Sequence, residues 1–308
     1  MVDLPGASAE QNRSIREPWA HRHHLFFLAC AYGTSWSVWI LAWLIARSTG
    51  LGDLLFNERL VWAALFEPGL AGPLFAVSAL AVTGVYGPMV AGILATRADA
   101  ATDLHVLGAR TAKIAVGARW YVRLALILSA VAVLPGVLLV AVTGVAADGP
   151  TAARLGLFLL VFLVFQMLTS GTEEVGWRGY LLEKILPGRN LWDAGWAVGV
   201  PWALWHLPIV IMLFAQQGMP PAAIIGSLFG FGIGIVAMSI LHAWFYANTR
   251  SVFLSIVIHA TFNTVPLSTG LLLDESYLAA VLPQLLLWAV VLIIVKQSER
   301  AASPSTAT

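Results

Sequence analysis

The sequence has few charged residues and almost no cysteine. Charged side chains make up 11% of its 308 residues, less than half of the share of about 25% that soluble domains carry. The single cysteine, Cys30, lies in an apolar run, which excludes an intrachain disulfide and a zinc site built from cysteines. A net charge of +1 gives no basic field for a nucleic acid, so we expect no nucleic-acid partner. The first 20 residues lack the short apolar core and small-residue cleavage site of a signal peptide.

Most of the sequence consists of long apolar runs. Hydrophobic residues make up 59% of the chain and the mean hydropathy is +0.83. A membrane-spanning helix needs about 20 apolar residues, and eight runs approach or exceed that length, at about residues 25–46, 69–96, 120–145, 153–186, 194–214, 222–246, 252–273 and 277–295. We therefore predict an all-α fold, a polytopic membrane bundle of about eight transmembrane helices. Residues 24–296 form this one bundle, between a disordered cytoplasmic tail at 1–23 and a short polar tail at 297–308.

The basic residues predict the orientation of the bundle. If the N-terminus lies in the cytoplasm, thirteen of the 17 Lys and Arg residues fall in cytoplasmic segments and three, Arg47, Arg59 and Arg154, fall outside. Cytoplasmic loops of membrane proteins carry such an excess of Lys and Arg. We predict a multi-pass protein of the plasma membrane with both termini in the cytoplasm. The excess of Arg over Lys, 14 to 3, suggests a GC-rich bacterial genome.

Two adjacent carboxylates and a guanidinium, Glu173, Glu174 and Arg178, follow a strongly apolar run. Ionisable groups at membrane depth are rare and usually mark function. On a helix, Glu174 and Arg178 at i and i+4 lie on one face and can pair, whereas Glu173 points elsewhere. The pattern therefore indicates one buried ion pair and one free carboxylate. A charge cluster that merely ends a helix at the membrane surface explains the same residues about equally well.

Three histidines lie inside other apolar runs. Trp202 and His206 share a helical face at i and i+4, and so do His259 and Asn263. We expect His259 about 10 Å from the cytoplasmic end of its helix, at the depth of Glu173. We interpret His242 as a hydrogen-bonding group between helices and Trp202 as a packing residue. Peptide hydrolysis needs a base that takes a proton from water and donors that stabilise the oxyanion, and this set supplies both.

The three motifs in this order resemble the CAAX protease and bacteriocin-processing (CPBP) family, which includes the type II CAAX prenyl endopeptidases. They read Glu-Glu-x-x-x-Arg at 173–178, aromatic-x-x-x-His at 202–206 and His-x-x-x-Asn at 259–263. The resemblance covers about residues 155–267. Trp202 stands where the family commonly has Phe.

The resemblance implies an intramembrane endopeptidase with an eight-helix fold. Carried over by position, Glu173 is the general base that activates water, and His206 helps to hold that water. His259 and Asn263 stabilise the oxyanion. We accordingly expect Glu173, His206, His259 and Asn263 to be the catalytic residues.

The resemblance also implies a structural ion pair between Glu174 and Arg178, and it leaves the metal question open. Glu173, His206 and His259 could hold a divalent metal such as zinc, or the same residues could act on water without a metal. The chain lacks the His-Glu-x-x-His motif that places two zinc ligands on one helix.

Three functions follow from these observations. The first is an endopeptidase that cleaves a peptide or membrane-protein substrate in the lipid bilayer, near its cytoplasmic face. The second is a non-proteolytic immunity or scaffold protein of the same family. The third is a proton-coupled transporter, for which two inverted halves are typical, whereas the polar cluster lies only in the second half of this sequence.

Overall fold

The computed structural model describes residues 7–67, 69, 72–143, 152–272 and 277–302. All regular elements of the described residues are helices, which confirms the predicted all-α class. The α-helices are α1 Ala7–Ser48, α2 Asn57–Phe66, α3 Pro73–Thr83, α4 Gly87–Ala98, α5 Leu104–Thr111, α6 Ala118–Leu128, α7 Leu134–Thr143, α8 Ala152–Leu168, α9 Glu173–Gly176, α10 Glu183–Ile185, α11 Leu191–Trp205, α12 Leu207–Gln216, α13 Pro221–Thr249, α14 Val252–Leu272 and α15 Tyr277–Ala302.

The predicted membrane spans correspond to these helices. Within the described ranges, six helices are long and apolar enough to cross a bilayer: Arg22–Ser48, Pro73–Ala98, Ala118–Leu138, Ala153–Ile185, Pro221–Thr249 and Leu282–Ala301. Helices α11 and α12 make a seventh span if the bent pair is counted as one. The remaining predicted run is α14, whose segment Val252–Val265 is a shorter apolar helix. The count of about eight is consistent with this architecture.

Four of the eight predicted runs are interrupted: 69–96 contains a 3₁₀ turn at Gly84–Tyr86, 120–145 contains a π-helical segment at Ser129–Val133, and the other two carry the polar motifs. The predicted span 153–186 leaves the α-helix at Leu168, passes through a 3₁₀ turn at Ser170–Thr172, and contains a π-helical segment at Trp177–Leu182. The predicted span 194–214 bends by 47° between α11 and α12, at His206. Pro208 explains the second break, since proline has no backbone N–H to donate and disfavours a helical residue before it. π-Helical segments within α-helices are frequent at functional sites.

The ends of the chain also differ from the prediction. We expected residues 1–23 to be disordered, but α1 begins at Ala7 and continues without a break into the first span. Similarly, α15 continues to Ala302, into the predicted polar tail. Helix-forming residues such as Ala, Glu, Gln and Arg extend a helix at little cost once the adjacent span has nucleated it. Residues 1–6 and 303–308 lie outside the described ranges.

Close contact between two glycines places the carboxylate motif against the first half of the chain. A Cβ atom on Gly92 of α4 would lie 2.9 Å from the Cα of Gly176, and a Cβ atom on Gly176 would overlap the carbonyl oxygen of Pro88. Only glycine lets two helix backbones approach this closely. Helix α4 therefore supports the turn that carries Glu173 and Glu174.

One end of the bundle is rich in basic residues and ion pairs, and we call it the basic end. Lys184 lies 2.6 Å from Asp99, and Glu183 accepts from Arg110 at 2.9 Å and from Arg250 at 2.7 Å. Burial alone would raise the pKa of Asp99, but the hydrogen bond and charge of Lys184, with the backbone N–H of Ala101, lower it below its ordinary value. The basic end is the end that the sequence predicts to be cytoplasmic.

The opposite end of the bundle holds the connection between α1 and α2. Arg47 at the end of α1 lies 3.5 Å from Asp53. The backbone N–H of Leu54 donates to Gln216 Oε1 at 3.2 Å, which ties this connection to the end of α12. We call this the α2 end.

Candidate active site

Glu174 is the buried anchor of the site. Its Oε2 lies 2.9 Å from Arg178 Nη1, and both side chains are 0% exposed. The predicted ion pair is therefore present, although the chain passes from α-helix to π-helix between the two residues. Glu174 Oε1 also lies 2.8 Å from His259 Nδ1. Since a carboxylate paired with Arg178 accepts, His259 Nδ1 carries the hydrogen, and the carboxylate fixes the orientation of the ring.

Glu173 is held by Trp202. The indole Nε1 of Trp202 donates to Glu173 Oε2 at 2.9 Å, and Glu173 is only 2% exposed. The guanidinium carbon of Arg178 lies 4.1 Å from the centroid of the same indole ring, a cation–π contact. We expected Trp202 to be a packing residue, and it is fully buried, but it also positions the predicted general base.

The bend between α11 and α12 presents His206 to the site. His206 Nδ1 lies 2.8 Å from the carbonyl oxygen of Trp202. A carbonyl oxygen only accepts, so Nδ1 donates and Nε2 is left with its lone pair. A ring in this state can accept a hydrogen bond from a water molecule.

Asn263 has a partner that the sequence analysis missed. Asn263 Nδ2 donates to Gln166 Oε1 at 3.1 Å, and Gln166 is 1% exposed. This bond orients the Asn263 amide, which lies one helical turn beyond His259. The sequence does contain a hint of this contact, because Gln166 is a polar residue inside the apolar run that precedes the carboxylate motif.

His242 lies beside the site without facing it. Its Nδ1 lies 2.9 Å from the carbonyl oxygen of Met238, and its Nε2 lies 3.3 Å from that of Ser255 on α14. Glu174 Oε1 is 3.8 Å from Nε2. These contacts agree with the interpretation of His242 as a hydrogen-bonding group between helices.

A cavity of about 450 Å³ brings the predicted catalytic residues together. Its wall includes Glu173, His206, His259 and Asn263. From there the cavity continues between α8, α12 and α13 and reaches Phe56, Asn57 and Glu58. It therefore extends toward the α2 end, away from the basic end, whereas we expected a pocket that faces the cell interior.

The arrangement of donors does not suit a metal ion. Among the described residues, no three His, Cys, Asp or Glu side chains are grouped so as to hold one. Trp202 occupies one oxygen of Glu173 and His259 Nδ1 contacts Glu174, so a metal would have to be held by the other Glu173 oxygen and by Nε2 of His206 and His259. In the described part of the chain, Glu173, His206 and His259 are not gathered around one point as a three-ligand site requires, and we derive no step through a metal.

Comparison with known proteins identifies the segment that carries the site. Residues 155–265 match the family model "Type II CAAX prenyl endopeptidase Rce1-like". The chain is also 30% identical over 103 residues to the CAAX prenyl protease 2 of Methanococcus maripaludis. That alignment covers 33% of this chain and 38% of the relative.

The matched segment contains all three motifs and the described contacts of Glu173, Glu174, His206 and His259. It also contains Gln166, which completes the Asn263 hydrogen bond. Residues 155–265 are thus similar in sequence to the type II CAAX prenyl endopeptidases, whereas the chain spans well under half of the length of the curated relative it matches.

Proposed function

We propose that this protein is an intramembrane endopeptidase in which Glu173 activates a water molecule. The observation that carries the proposal is that Glu173, His206, His259 and Asn263, from three separate membrane segments, line one cavity. The family match of the segment supports protease activity in general. The site geometry supports the assignment of individual roles.

The hydrolytic step starts with a water molecule between Glu173 and His206 Nε2. Glu173 takes a proton as the water oxygen bonds to the carbonyl carbon of the scissile peptide, and the carbonyl oxygen becomes an oxyanion. When the C–N bond breaks, the protonated Glu173 gives that proton to the leaving amine. The products are a carboxylic acid and an amine, so one water molecule is consumed.

His259 and Asn263 act on the oxyanion. The Asn263 amide donates through a side chain whose orientation is fixed by Gln166. His259 donates through Nε2 only as an imidazolium, because its Nδ1–H is already engaged by Glu174. The Glu174 carboxylate stabilises that imidazolium, as the buried carboxylate does in a Ser-His-Asp triad. Arg178 keeps Glu174 ionised, so the structural ion pair supports the catalytic histidine.

The substrate is a peptide or a membrane protein within the lipid bilayer. We predicted cleavage near the cytoplasmic face, and that remains a prediction. The direction of the cavity favours access from the α2 end instead. Labelling of a thiol in the cavity from each side of the membrane separates the two.

The test compares membrane proteomes of cells that carry the normal protein, Glu173→Gln or Glu67→Gln. Glu67 is an exposed carboxylate at the end of α2 that does not line the cavity, so it is the matched control. We expect uncleaved precursors to accumulate with Glu173→Gln and not with Glu67→Gln. If Glu173→Gln inserts normally and leaves both the proteome and the cellular phenotype unchanged, the chain acts as a non-proteolytic immunity or scaffold protein, and the proposal is wrong.

A further inference from the structure

The wall of the cavity at the α2 end comes from outside the family-matched segment. Phe56, Asn57 and Glu58 line it there, on the connection into α2. Asn57 has a φ of +35°, in the left-handed region that Asn tolerates better than most residues. Helix α2 begins at this residue. The next residue, Glu58, lines the cavity.

The cavity is acidic at both ends. Its lining contains Glu173 at one end and Glu58 at the other, and no Lys or Arg in the described part of the chain. The neighbouring cation, Arg59, is exposed and does not line the cavity. No ion pair found among the described residues includes Glu58. The two histidines of the lining lie with Glu173, so the α2 end has a carboxylate without a cationic partner.

Glu58 is only partly exposed. Burial raises its pKa above the ordinary value, against the opposing effects of a backbone N–H and of Arg59. This is the cost of placing a carboxylate in a partly apolar wall, and the charge of the neighbouring Arg59 offsets it only in part. A cationic group in the cavity would offset that cost.

We propose that Glu58 is a specificity-determining residue that binds a cationic group of the substrate at the α2 end of the cavity. The cation is an ammonium or guanidinium on the peptide, carried either by a Lys or Arg side chain or by a free amino terminus. The assignment rests on the proposed function, because it takes the cavity to be the peptide-binding site. If the basic end is cytoplasmic, the substrate reaches Glu58 from the outer side of the membrane.

The first experiment measures the charge preference of the cavity without any substrate. In a Cys30→Ala background, Leu213→Cys places one thiol on the cavity wall. This thiol is treated with two membrane-impermeant methanethiosulfonates of similar size. One is cationic and carries a trimethylammonium group, and the other is anionic and carries a sulfonate. The rates of the two reactions are compared. We expect Glu58→Gln to lower the ratio of the cationic to the anionic rate by about fivefold, the effect of one charge several Å away in a partly screened site. Glu67→Gln should leave the ratio unchanged.

Equal ratios in the parent protein and in Glu58→Gln would overturn the proposal. This result is independent of cleavage, so it does not depend on whether the protein is a protease. Right-side-out and inverted vesicles extend the measurement. Labelling only in right-side-out vesicles supports access from the outer side, and labelling only in inverted vesicles overturns that part of the proposal.

The second experiment identifies the source of the cation. New peptide termini are catalogued in cells that carry the normal protein, Glu58→Gln or Glu67→Gln. We expect Glu58→Gln alone to lose a subset of cleavages by at least about tenfold, the value of one charge-assisted hydrogen bond. Lost sites that share a Lys or Arg at a fixed distance identify a side chain, whereas lost sites at a fixed distance from an unmodified amino terminus identify the terminus. Loss of all sites alike, with normal folding of the variant, would contradict a role in specificity.

Discussion

Trp202 donates its indole N–H to the carboxylate of Glu173 at 2.9 Å. The same residue accepts from His206 through its backbone oxygen. One side chain thus sets the position of the predicted base, and its backbone sets the tautomer of the histidine that shares the water. Phe, the residue that the CPBP family commonly has at this position, would fill the same space but has no N–H to donate to Glu173.

Trp202→Phe should therefore reduce cleavage while the protein still folds. We expect a loss of about tenfold, because a misoriented base loses part of the benefit of proton transfer. The matched control is Trp205→Phe, which removes an equivalent indole N–H that donates to the carbonyl of Ala31 instead. Comparable activity losses in the two variants would show that packing rather than the Glu173 contact is responsible.

The adjacent carboxylates should respond differently to the same substitution. Glu174→Gln leaves Arg178 buried without its anion, which should destabilise the protein by about 3–5 kcal/mol. Glu173→Gln keeps the contact with Trp202 through its amide oxygen and should abolish cleavage with little effect on stability. Thermal unfolding in detergent and a cleavage assay on both variants separate the two roles. A stable Glu174→Gln variant would argue against the ion pair.

Gln166 should act through Asn263. Gln166→Met keeps the size of the side chain but removes the acceptor, so we expect kcat to fall by roughly tenfold while substrate affinity is retained. The test is a double-mutant cycle with Asn263→Ala. If Gln166 only orients the Asn263 amide, its substitution has no further effect once that amide is gone. Additive losses would contradict this role.

The pair between Asp99 and Lys184 should make stability depend on pH at the basic end. The pKa of Asp99 is lowered in the folded state, so its contribution is complete above the unfolded value of about 3.9 and is lost as the pH falls below it. We expect Asp99→Asn to cost about 1 kcal/mol near neutral pH and to flatten the acid limb of the thermal stability curve. Asp53→Asn, in the exposed pair with Arg47, is the control and should cost less than about 0.5 kcal/mol.

Chelation should leave the protein active. Glu173, His206 and His259 are not grouped as a metal site in the described part of the chain, so we expect dialysis against a zinc chelator to change neither the unfolding midpoint nor the cleavage rate. Elemental analysis of the purified protein gives an independent reading. Stoichiometric zinc that disappears in His206→Ala would show that the site rearranges to bind metal.

The sequence predicts the helical bundle well, because membrane spans depend on local composition. It also predicts the Glu174–Arg178 pair, since i and i+4 residues remain neighbours even where the helix changes its winding. The breaks at 169–172 and at His206 could not be predicted as readily, because they depend on contacts between distant segments. For the same reason, the sequence did not indicate that His259 binds Glu174, although it correctly left Glu173 outside the ion pair.

Gln166 and Glu58 were missed for different reasons. Gln166 is a single polar residue in an apolar run, and only its distance from Asn263 distinguishes it from a tolerated exception. Glu58 lies between spans, where a carboxylate is ordinarily solvated. Only the path of the cavity brings it into relation with Glu173.

The contact between Gly92 and Gly176 has a consequence for protein engineering. A graft of residues 155–265 onto another membrane scaffold would carry every motif, yet it would lack the methyl-free surface of α4 against which the carboxylate turn rests. Even one added carbon atom at position 92 would push that turn aside. The segment that matches the family model is therefore not a self-sufficient module, because the position of its carboxylates depends on α4, a helix that lies outside the segment and carries none of the three motifs.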